Sequence, residues 1–335
     1  MKATIEKDGV RLGREGQALY DQSGYGRPDE GGVRLSPEEA LYLVYRGKIE
    51  IPGYDPDRLL AELTRAPGFF RRFLVYRDIR ERGYVVQTGP HDFRVFRRGE
   101  RPGKGQSKYM VRVLSERDLI DFGVLVREVG TSSQMRKLHL LAVVDDENEL
   151  TYYEVKVQNL HEAGRPKVPR PILHAELIGH VAVVPSSESG RTDDVFGMRL
   201  DDSRLVLSSL ETLWLLQNEL IILKQEGQGI DADQFFAIAA RDDFEIAEKS
   251  AVYGNLKERG FVPKTGYKFG HHFRVYAGGN LHSKMLVHAI AQSAAMPMST
   301  ISRSVRLAHS VKKKMLFGCV HNTGIQYIEF ARVKL

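Results

Sequence analysis

Cysteine is almost absent from this 335-residue sequence, which contains only Cys319. A single cysteine excludes an internal disulfide and any metal cluster built from several thiolates. Long apolar runs are also missing: none reaches the roughly 18 residues that a membrane span requires, and the N-terminus lacks the apolar stretch of a signal peptide. We therefore expect a soluble, cytoplasmic protein without a membrane segment, long enough for two or more domains.

Acidic residues are scarce in the last quarter of the chain. Residues 251–335 contain thirteen Lys or Arg against two acids, Glu258 and Glu329, which gives this segment a net charge of +11. The whole chain carries +6, so the other 250 residues carry −5. Such a charge asymmetry indicates a polyanionic partner such as nucleic acid, although a basic face that only aids solubility explains the charge equally well.

The sequence contains an internal repeat. The segment 36–43 (SPEEALYL) is echoed by 208–215 (SSLETLWL), and each reads as a helix that begins after a Ser N-cap. Arg82-Gly83 and the motif FRVF at 93–96 are matched by Arg259-Gly260 and FRVY at 273–276. Ser107 and Lys137 are matched by Ser283 and Lys313. An ordered series of matches indicates a duplication.

The repeat predicts a mixed α/β fold made by tandem duplication, in which each copy has a small N-terminal α/β subdomain and a C-terminal nuclease-like α/β subdomain. Three Pro residues in 166–171 predict a semi-rigid linker at 163–171. The expected boundaries are 1–162 for the first repeat, divided into 1–70 and 71–162, and 172–335 for the second, divided into 172–245 and 246–335.

Chemically useful residues concentrate in the second repeat. Residues 271–276 (HHFRVY) alternate with period two and predict a strand with Phe273 and Val275 towards the core, leaving Tyr276 on the opposite face. The following segment 277–280 (AGGN) has turn composition. We therefore expect His282 to lie in the next strand, beside Tyr276.

A helix and a buried strand are predicted further along. Ile301, Val305 and Ala308 have the spacing of a buried helical stripe. Arg306 and His309 are three residues apart, on a shared side of that helix. Three lysines at 312–314 follow, and the apolar segment 315–320 (MLFGCV) predicts a buried strand.

The motif FRVY at 273–276, followed by His282-Ser283 and by RLAHSVKKK at 306–314, resembles the signature of archaeal tRNA-splicing endonucleases. The resemblance covers essentially the whole chain, because that family includes members with two fused repeats. It implies a catalytic triad of Tyr276, His282 and Lys313. It also implies cleavage of precursor tRNA at a bulge–helix–bulge element, leaving a 2′,3′-cyclic phosphate and a 5′-hydroxyl, without a metal or other cofactor.

The same resemblance implies further RNA contacts. Two arginines of the family clamp an unstacked bulge base, a use of guanidinium stacking, and Arg306 and Arg332 match these positions. An alternative for Arg332 is a surface ion pair with Glu329. Arg274 and Lys312 are further RNA-binding candidates, and Arg274 or Lys313 is a cation that would lower the pKa of a tyrosine base.

The first repeat lacks the predicted proton carriers. Phe96 stands where the second repeat has Tyr276, Gln106 where it has His282, and Gly130 where it has Arg306, whereas Lys137 matches Lys313. We therefore expect the first repeat to be a structural, non-catalytic copy.

An acidic hairpin loop distinguishes the first repeat. Its acids are Asp145, Asp146, Glu147 and Glu149. Such a run is ordinarily a solvated turn, but family members dock an acidic loop into a basic cleft on a catalytic unit of the partner. We therefore expect a head-to-tail homodimer with two active sites.

Two alternatives remain from the residues alone. A metal-dependent nuclease would need clustered carboxylates to hold Mg²⁺, and residues 251–335 offer only Glu258 and Glu329. A non-catalytic RNA-binding subunit fits the first repeat but leaves the Tyr–His–Lys set of the second unexplained. The sequence has no Walker-type phosphate loop, which argues against nucleoside triphosphate use.

Overall fold

The computed structural model describes residues 1–6, 9–161, 163–164, 172–185, 195–277 and 282–335. Most of the predicted linker at 163–171 lies outside these residues. The chain forms two compact units. Unit 1 comprises Met1–Lys156, Ala295–Arg303 and Phe330–Leu335, and unit 2 comprises Val157–Ala294 and Ser304–Glu329. None of the helices in the described ranges is both long enough and apolar enough to cross a membrane.

Unit 1 begins with a small α/β subdomain. Its four-stranded sheet has the order β1-β2-β4-β3 and is antiparallel throughout. The strands are β1 (Ala3–Glu6), β2 (Gly9–Leu12), β3 (Arg27–Asp29) and β4 (Gly32–Leu35), and the helices are α1 (Gln17–Ser23), α2 (Pro37–Tyr45) and α3 (Pro56–Leu63).

A second α/β subdomain of unit 1 follows helix α4 (Phe69–Glu81). Its elements are β5 (Val86–Thr88), β6 (Phe93–Phe96), β7 (Ser107–Ser115), β8 (Leu119–Asp121), α5 (Phe122–Gln134), β9 (Leu138–Val144) and β10 (Leu150–Val157). The sheet order is β5-β6-β7-β9-β10, and β7 and β9 pair in parallel through the crossover helix α5. Strands β9 and β10 form the antiparallel hairpin whose loop carries the acidic residues.

Unit 2 repeats this arrangement. Its first subdomain has a six-stranded sheet of order β13-β14-β12-β11-β15-β16. The elements are β11 (Leu173–Ile178), β12 (Val181–Pro185), β13 (Met198–Asp201), β14 (Arg204–Leu207), α6 (Ser209–Gln217), β15 (Ile221–Gln225), β16 (Gln228–Ile230) and α7 (Ala232–Ala239).

The second subdomain of the second repeat begins with α8 (Ile246–Glu258) and has the sheet order β17-β18-β19-β21-β22. Its other elements are β17 (Phe261–Thr265), β18 (Phe273–Ala277), β19 (Met285–Ala291), β20 (Ala295–Pro297), α9 (Met298–Ser310), β21 (Lys314–His321) and β22 (Gly324–Val333). Strands β19 and β21 pair in parallel, as β7 and β9 do. The strand order therefore matches that of the first repeat, and the prediction of a duplicated mixed α/β fold is confirmed.

The duplication extends to helix capping. Ser36 Oγ accepts from the Glu39 N–H at 3.3 Å, and Glu39 Oε2 accepts from the Ser36 N–H at 2.9 Å. Ser208 and Glu211 make the same two bonds at 3.3 and 3.0 Å. The second carboxylate oxygen of Glu39 also accepts from the Gly26 N–H at 2.8 Å. These reciprocal capping boxes fix where α2 and α6 begin.

Candidate active site

His282 and Lys313 line one open groove of about 990 Å³ in unit 2. The groove lies between the chain that enters β19 and the end of helix α9. Its lining residues are His282, Ser283, Lys284, His309, Ser310, Lys312, Lys313 and Lys314. This set contains four lysines, two histidines and no carboxylate, so the groove has the charge that an anionic ligand requires.

The backbone at the end of α9 places Lys313. The N–H of Lys313 donates to the Ala308 carbonyl at 2.8 Å, and the N–H of Lys312 donates to the His309 carbonyl at 3.0 Å. Lys312 itself has the left-handed φ of +55°. These features define a Schellman motif. In the first repeat, Lys137 follows Arg136, whose φ is +57°, in the same motif.

The Lys313 side chain is bonded to the loop that carries His282. Its Nζ donates to the Ser283 carbonyl at 2.8 Å. In the first repeat, Lys137 Nζ donates to the Ser107 carbonyl at 3.0 Å and to the Ser107 hydroxyl. Burial and, secondarily, the charge of Arg94 lower the pKa of Lys137. The lysine–serine contact thus belongs to both copies of the fold, although the first copy has Gln106 where the second has His282.

The prediction that His282 lies in a strand is wrong. His282 is exposed and occupies a bend before β19, which begins at Met285. The pairing of β18 with β19 ends where Val275 meets Met285, and the Lys284 N–H donates to the Val275 carbonyl at 3.0 Å. Because His282 lies outside β19, the alternating side-chain directions of a strand do not fix the direction of its imidazole. Residues 278–281 lie outside the described part of the chain.

Tyr276 lies near the end of β18, half-buried, opposite Val262 of β17. Phe273 and Val275 are buried, which confirms the predicted core face of this strand. Tyr276 is not one of the described residues that line the groove. Its neighbour is Arg274, whose guanidinium carbon lies 5.8 Å from the phenol ring centroid. The structure thus brings two members of the predicted triad together in the groove, and places the third beside a cation.

The predicted RNA-binding residues are dispersed over several elements. Arg306 is exposed on α9, and Lys312 is exposed in the groove. Arg332 is exposed on β22, in a segment of unit 1. Glu329, its suggested surface partner, is instead buried, and its Oε2 accepts from Lys314 Nζ at 3.3 Å.

His309 is a groove residue for which the sequence suggested no role. It is exposed in the last turn of α9 and lines the groove with His282 and Lys313. The matching position of the first repeat is Ser133. A comparison of the two repeats could have identified His309, because this position differs between the copies, as the positions of Tyr276 and His282 do.

The acidic loop of unit 1 is organised by one of its own carboxylates. Asp145 Oδ1 accepts from the N–H groups of Glu147 and Glu149 at 3.0 and 2.8 Å. Asn148 has a left-handed φ of +64°. Asp146 forms an ion pair with Arg117, and both side chains are exposed. Asp145 therefore builds the turn, whereas Asp146 and Glu147 expose their side chains on it.

A histidine cluster beneath β18 has ligand atoms close enough for a metal ion. Donor atoms of Glu245, His272 and His288 lie within 4.8 Å of one another. However, His272 Nδ1 accepts from the Ala289 N–H at 3.0 Å, so the proton of the neutral ring is on Nε2, which faces Glu245 Oε2 at 3.4 Å. A metal would need the lone pair of that nitrogen. The donor arrangement therefore suits a hydrogen bond to Glu245 and does not fit metal ligation.

Comparisons with known proteins agree with this architecture. The chain matches the model of the tRNA intron endonuclease N-terminal domain at 1–62 and 173–236, and that of the tRNA intron endonuclease catalytic C-terminal domain at 69–152 and 246–327. Proteins named tRNA-splicing endonuclease are similar over the full length of both chains: that of Methanosarcina acetivorans is 38% identical and that of Methanococcoides burtonii 36%. A third, from Natronomonas pharaonis, is 34% identical over 97% of each chain. With both domains present twice and full-length relatives above 30% identity, the chain belongs to the tRNA intron endonuclease family.

Proposed function

We propose that this protein excises introns from precursor tRNA by cutting both strands of a bulge–helix–bulge element in a metal-independent transesterification. The observation that carries the proposal is the groove of the second repeat, where His282 and Lys313 lie together. The first repeat keeps the lysine but has Gln106 in place of His282. A proton carrier is thus present in only one of two copies of the same scaffold.

The reaction is an in-line attack of the ribose 2′-oxygen on the adjacent phosphorus. Tyr276 takes the proton of the 2′-hydroxyl, the new P–O bond forms, and the bond from phosphorus to the 5′-oxygen breaks. His282 gives its proton to the leaving 5′-oxygen, so the products are a 2′,3′-cyclic phosphate and a 5′-hydroxyl. Each proton transfer contributes roughly 10²- to 10⁴-fold to the rate.

Charge in and near the groove supports this chemistry. Lys313 stabilises the negative charge that develops on the phosphorane oxygens. The guanidinium of Arg274 lies 5.8 Å from the Tyr276 ring centroid, so a cation stands beside the proposed base. Among the described residues that line the groove, none offers a carboxylate to bind a divalent cation. The donor set therefore favours acid–base catalysis over two-metal catalysis.

RNA binding involves cations outside the catalytic trio. We assign Arg306 and Arg332 to the clamp on an unstacked bulge base and Lys312 to the neighbouring phosphates. Arg306 and Lys312 are exposed, as such roles require. His309 is a further phosphate contact, because its imidazole is exposed in the same groove as Lys312 and Lys313.

The functional assembly is a head-to-tail homodimer in the cytoplasm. The acidic loop formed by Asp145, Asp146, Glu147 and Glu149 docks on the catalytic unit of the second copy, and the two active sites make the two cuts. The loop is a defined turn that exposes the carboxylates of Asp146 and Glu147, which supports a docking role. The first repeat then serves as a structural copy.

The deciding experiment is cleavage of a labelled bulge–helix–bulge RNA in excess EDTA, with a fully paired RNA as control. We expect cleavage of the bulged RNA alone, with cyclic phosphate ends, and loss of cleavage in His282→Ala. Cleavage that requires added Mg²⁺ would instead establish a metal-dependent nuclease. Binding without cleavage under both conditions would make the protein a non-catalytic RNA-binding subunit.

A further inference from the structure

The loop between β6 and β7 of the first repeat, here called the arginine loop (residues 97–106), differs from its counterpart in length and charge. Ten residues separate Phe96 from Ser107, whereas six separate Tyr276 from Ser283 in the second repeat. The arginine loop contains Arg97, Arg98, Arg101 and Lys104 against Glu100. Its counterpart, residues 277–282, has no Lys, Arg, Asp or Glu. The copy without the proposed proton carriers therefore has cations where the other copy has none.

The arginine loop is built from two successive β-turns. The Arg97 carbonyl accepts from the Glu100 N–H at 3.0 Å, and the Arg101 carbonyl accepts from the Lys104 N–H at 2.9 Å. The third position of each turn is a glycine with left-handed φ, +82° at Gly99 and +77° at Gly103. Pro102 precedes Gly103, which is the type II pattern. The loop thus presents its cations from a defined backbone.

The positive charge of the arginine loop is not neutralised. Within the described parts of the chain, none of its four cations lies within 4.0 Å of a carboxylate. Arg97, Arg98 and Lys104 are exposed, and the Arg98 guanidinium carbon lies 5.0 Å from the Tyr84 ring centroid. Unpaired cations that repel one another on a rigid loop destabilise the free protein. A bound anion would offset this repulsion, so the arrangement indicates that the cations bind an anion.

Three basic residues of the first repeat that have basic counterparts in the second also lie near the arginine loop. Lys108 is the second residue of β7, and Arg94 lies on β6. Lys137 contacts Ser107, the residue that follows the loop. Guanidinium groups present planar donor pairs that match phosphate oxygens. The chemistry of the loop is therefore that of a site for a phosphodiester backbone.

We propose that the arginine loop binds the phosphate backbone of the RNA substrate, so that the first repeat is an RNA-holding copy of the nuclease subdomain. This proposal rests on the proposed function only in that the RNA is precursor tRNA. The loop contacts phosphates and reads no base, so its contribution is independent of sequence and falls with salt.

The test uses Arg97→Gln, Arg98→Gln and Lys104→Gln together. Arg101 is left in place because, unlike the other three cations, it is half-buried. The control is Lys2→Gln, Arg46→Gln and Lys48→Gln, three exposed cations of the same unit whose loss gives the same change in net charge. Binding of precursor tRNA is measured by fluorescence anisotropy against salt concentration, in a His282→Ala background that prevents cleavage.

We expect the loop variant to bind precursor tRNA roughly tenfold more weakly near 0.1 M salt, with a salt slope reduced by about 2 to 3, since each phosphate contact contributes about 0.7 to 0.9. The control variant should match the parent. Equal slopes in all three proteins would overturn the proposal. So would dissociation of the loop variant in gel filtration, because the loop would then bind the acidic loop of a second copy.

The RNA-binding role of the arginine loop and the splicing function can be tested independently of each other. With His282 restored, the loop variant should cleave a short bulged RNA at the parental rate at saturation, because the loop is not part of the groove. If the unmodified protein cuts no bulged RNA, the splicing function fails, while a reduced salt slope in the loop variant would still support the RNA site.

Discussion

Lys313 Nζ and the carbonyl oxygen of Ser283 are 2.8 Å apart, so the proposed charge-stabilising lysine also holds the residue that follows the proposed acid, His282. The same bond joins Lys137 to Ser107 in the copy without the acid. Because both copies make this lysine–carbonyl bond, it contributes to the fold in both, in addition to the proposed role of Lys313 in catalysis. Loss of activity on changing Lys313 therefore has a structural component that the first repeat allows us to measure.

We expect Lys137→Met to lower the free energy of unfolding by about 1 kcal/mol, the usual contribution of one hydrogen bond, without loss of cleavage. Lys313→Met should lower it by a similar amount and also abolish cleavage. Urea melts and cleavage rates on a bulged RNA check both statements. If Lys137→Met leaves stability unchanged, the lysine–carbonyl bond is not a structural element.

Tyr276→Phe should reduce the cleavage rate at saturation by roughly 10²- to 10⁴-fold, because the phenol oxygen that accepts the 2′-hydroxyl proton is removed. RNA binding should be unchanged, since the ring remains. The reverse change in the first repeat, Phe96→Tyr, should give no second activity, because Gln106 occupies the position of the acid. Single-turnover rates and Kd values decide this; near-normal cleavage by Tyr276→Phe would remove Tyr276 from the mechanism.

Arg306→Ala should weaken binding of bulged RNA by roughly tenfold or more, since stacking on one base contributes about 1 to 3 kcal/mol. The matched control is Arg303→Ala, one turn earlier on α9, because Arg303 is an exposed arginine that the first repeat also has, as Arg127. Anisotropy titrations of a bulged and a fully paired RNA measure the effect. Equal losses for Arg303→Ala and Arg306→Ala would mean a general charge effect and no clamp.

Asp146→Lys with Glu147→Lys should give a monomer with low activity, since these acids face the second copy in the proposed dimer. Asp145 must be kept, because its carboxylate holds the loop through the Glu147 and Glu149 N–H groups. Glu15→Lys with Glu81→Lys, two exposed acids of the same unit, is the control with the same charge change. Light scattering and cleavage assays give the outcome, and an active dimer with the changed loop would refute the docking.

The free energy of unfolding should fall as the pH falls from about 6.5 to about 4. Burial lowers the pKa of His271 and of His288 to about 4, whereas histidine in an unfolded chain titrates near 6.5. Between these values the unfolded chain binds more protons, so stability increases with pH across this window. The contribution is of the order of 3 kcal/mol for each histidine, since one pKa unit corresponds to about 1.4 kcal/mol. Besides burial, the neighbouring His272 and Lys249 lower the pKa of His288, whereas Glu245 raises it.

Replacing His288 tests this pH dependence. Its ring stacks on His272 with centroids 4.0 Å apart and meets Phe317 edge to face, so His288→Phe preserves an aromatic ring there. Urea melts at about pH 7 and about pH 5 should differ less for His288→Phe than for the parent protein. The exposed His180, changed to Gln, serves as control. Identical pH dependence in all three proteins would show that the buried imidazoles do not contribute.

Local sequence signals predicted much of the fold. Serine caps marked the starts of α2 and α6, and the period-two pattern identified the buried face of β18. The family resemblance identified the lysine and histidine that share the groove, and the comparison between repeats supported the choice of the histidine. These features depend on residues close in sequence or on matches between copies.

Other features depend on contacts that no local pattern encodes. The prediction that His282 lies in a strand was wrong because β19 begins only at Met285, three residues after His282. The bond from Lys313 to Ser283 joins residues thirty positions apart through a backbone carbonyl, which every residue type provides. The His272 tautomer depends in the same way on the Ala289 N–H.

The Schellman motif that ends α9 has a consequence for how this enzyme can change during evolution. It fixes this segment through backbone bonds from Lys313 to Ala308 and from Lys312 to His309, so Lys313 turns with the helix. One residue inserted in α9 would rotate everything after it by about 100° and carry Lys313 away from Ser283. Surface loops can lengthen freely, as the four extra residues of the arginine loop illustrate, but the interval from Arg306 to Lys313 has no such freedom. Its length should be invariant wherever this catalytic site is retained, even where the surrounding residues have diverged.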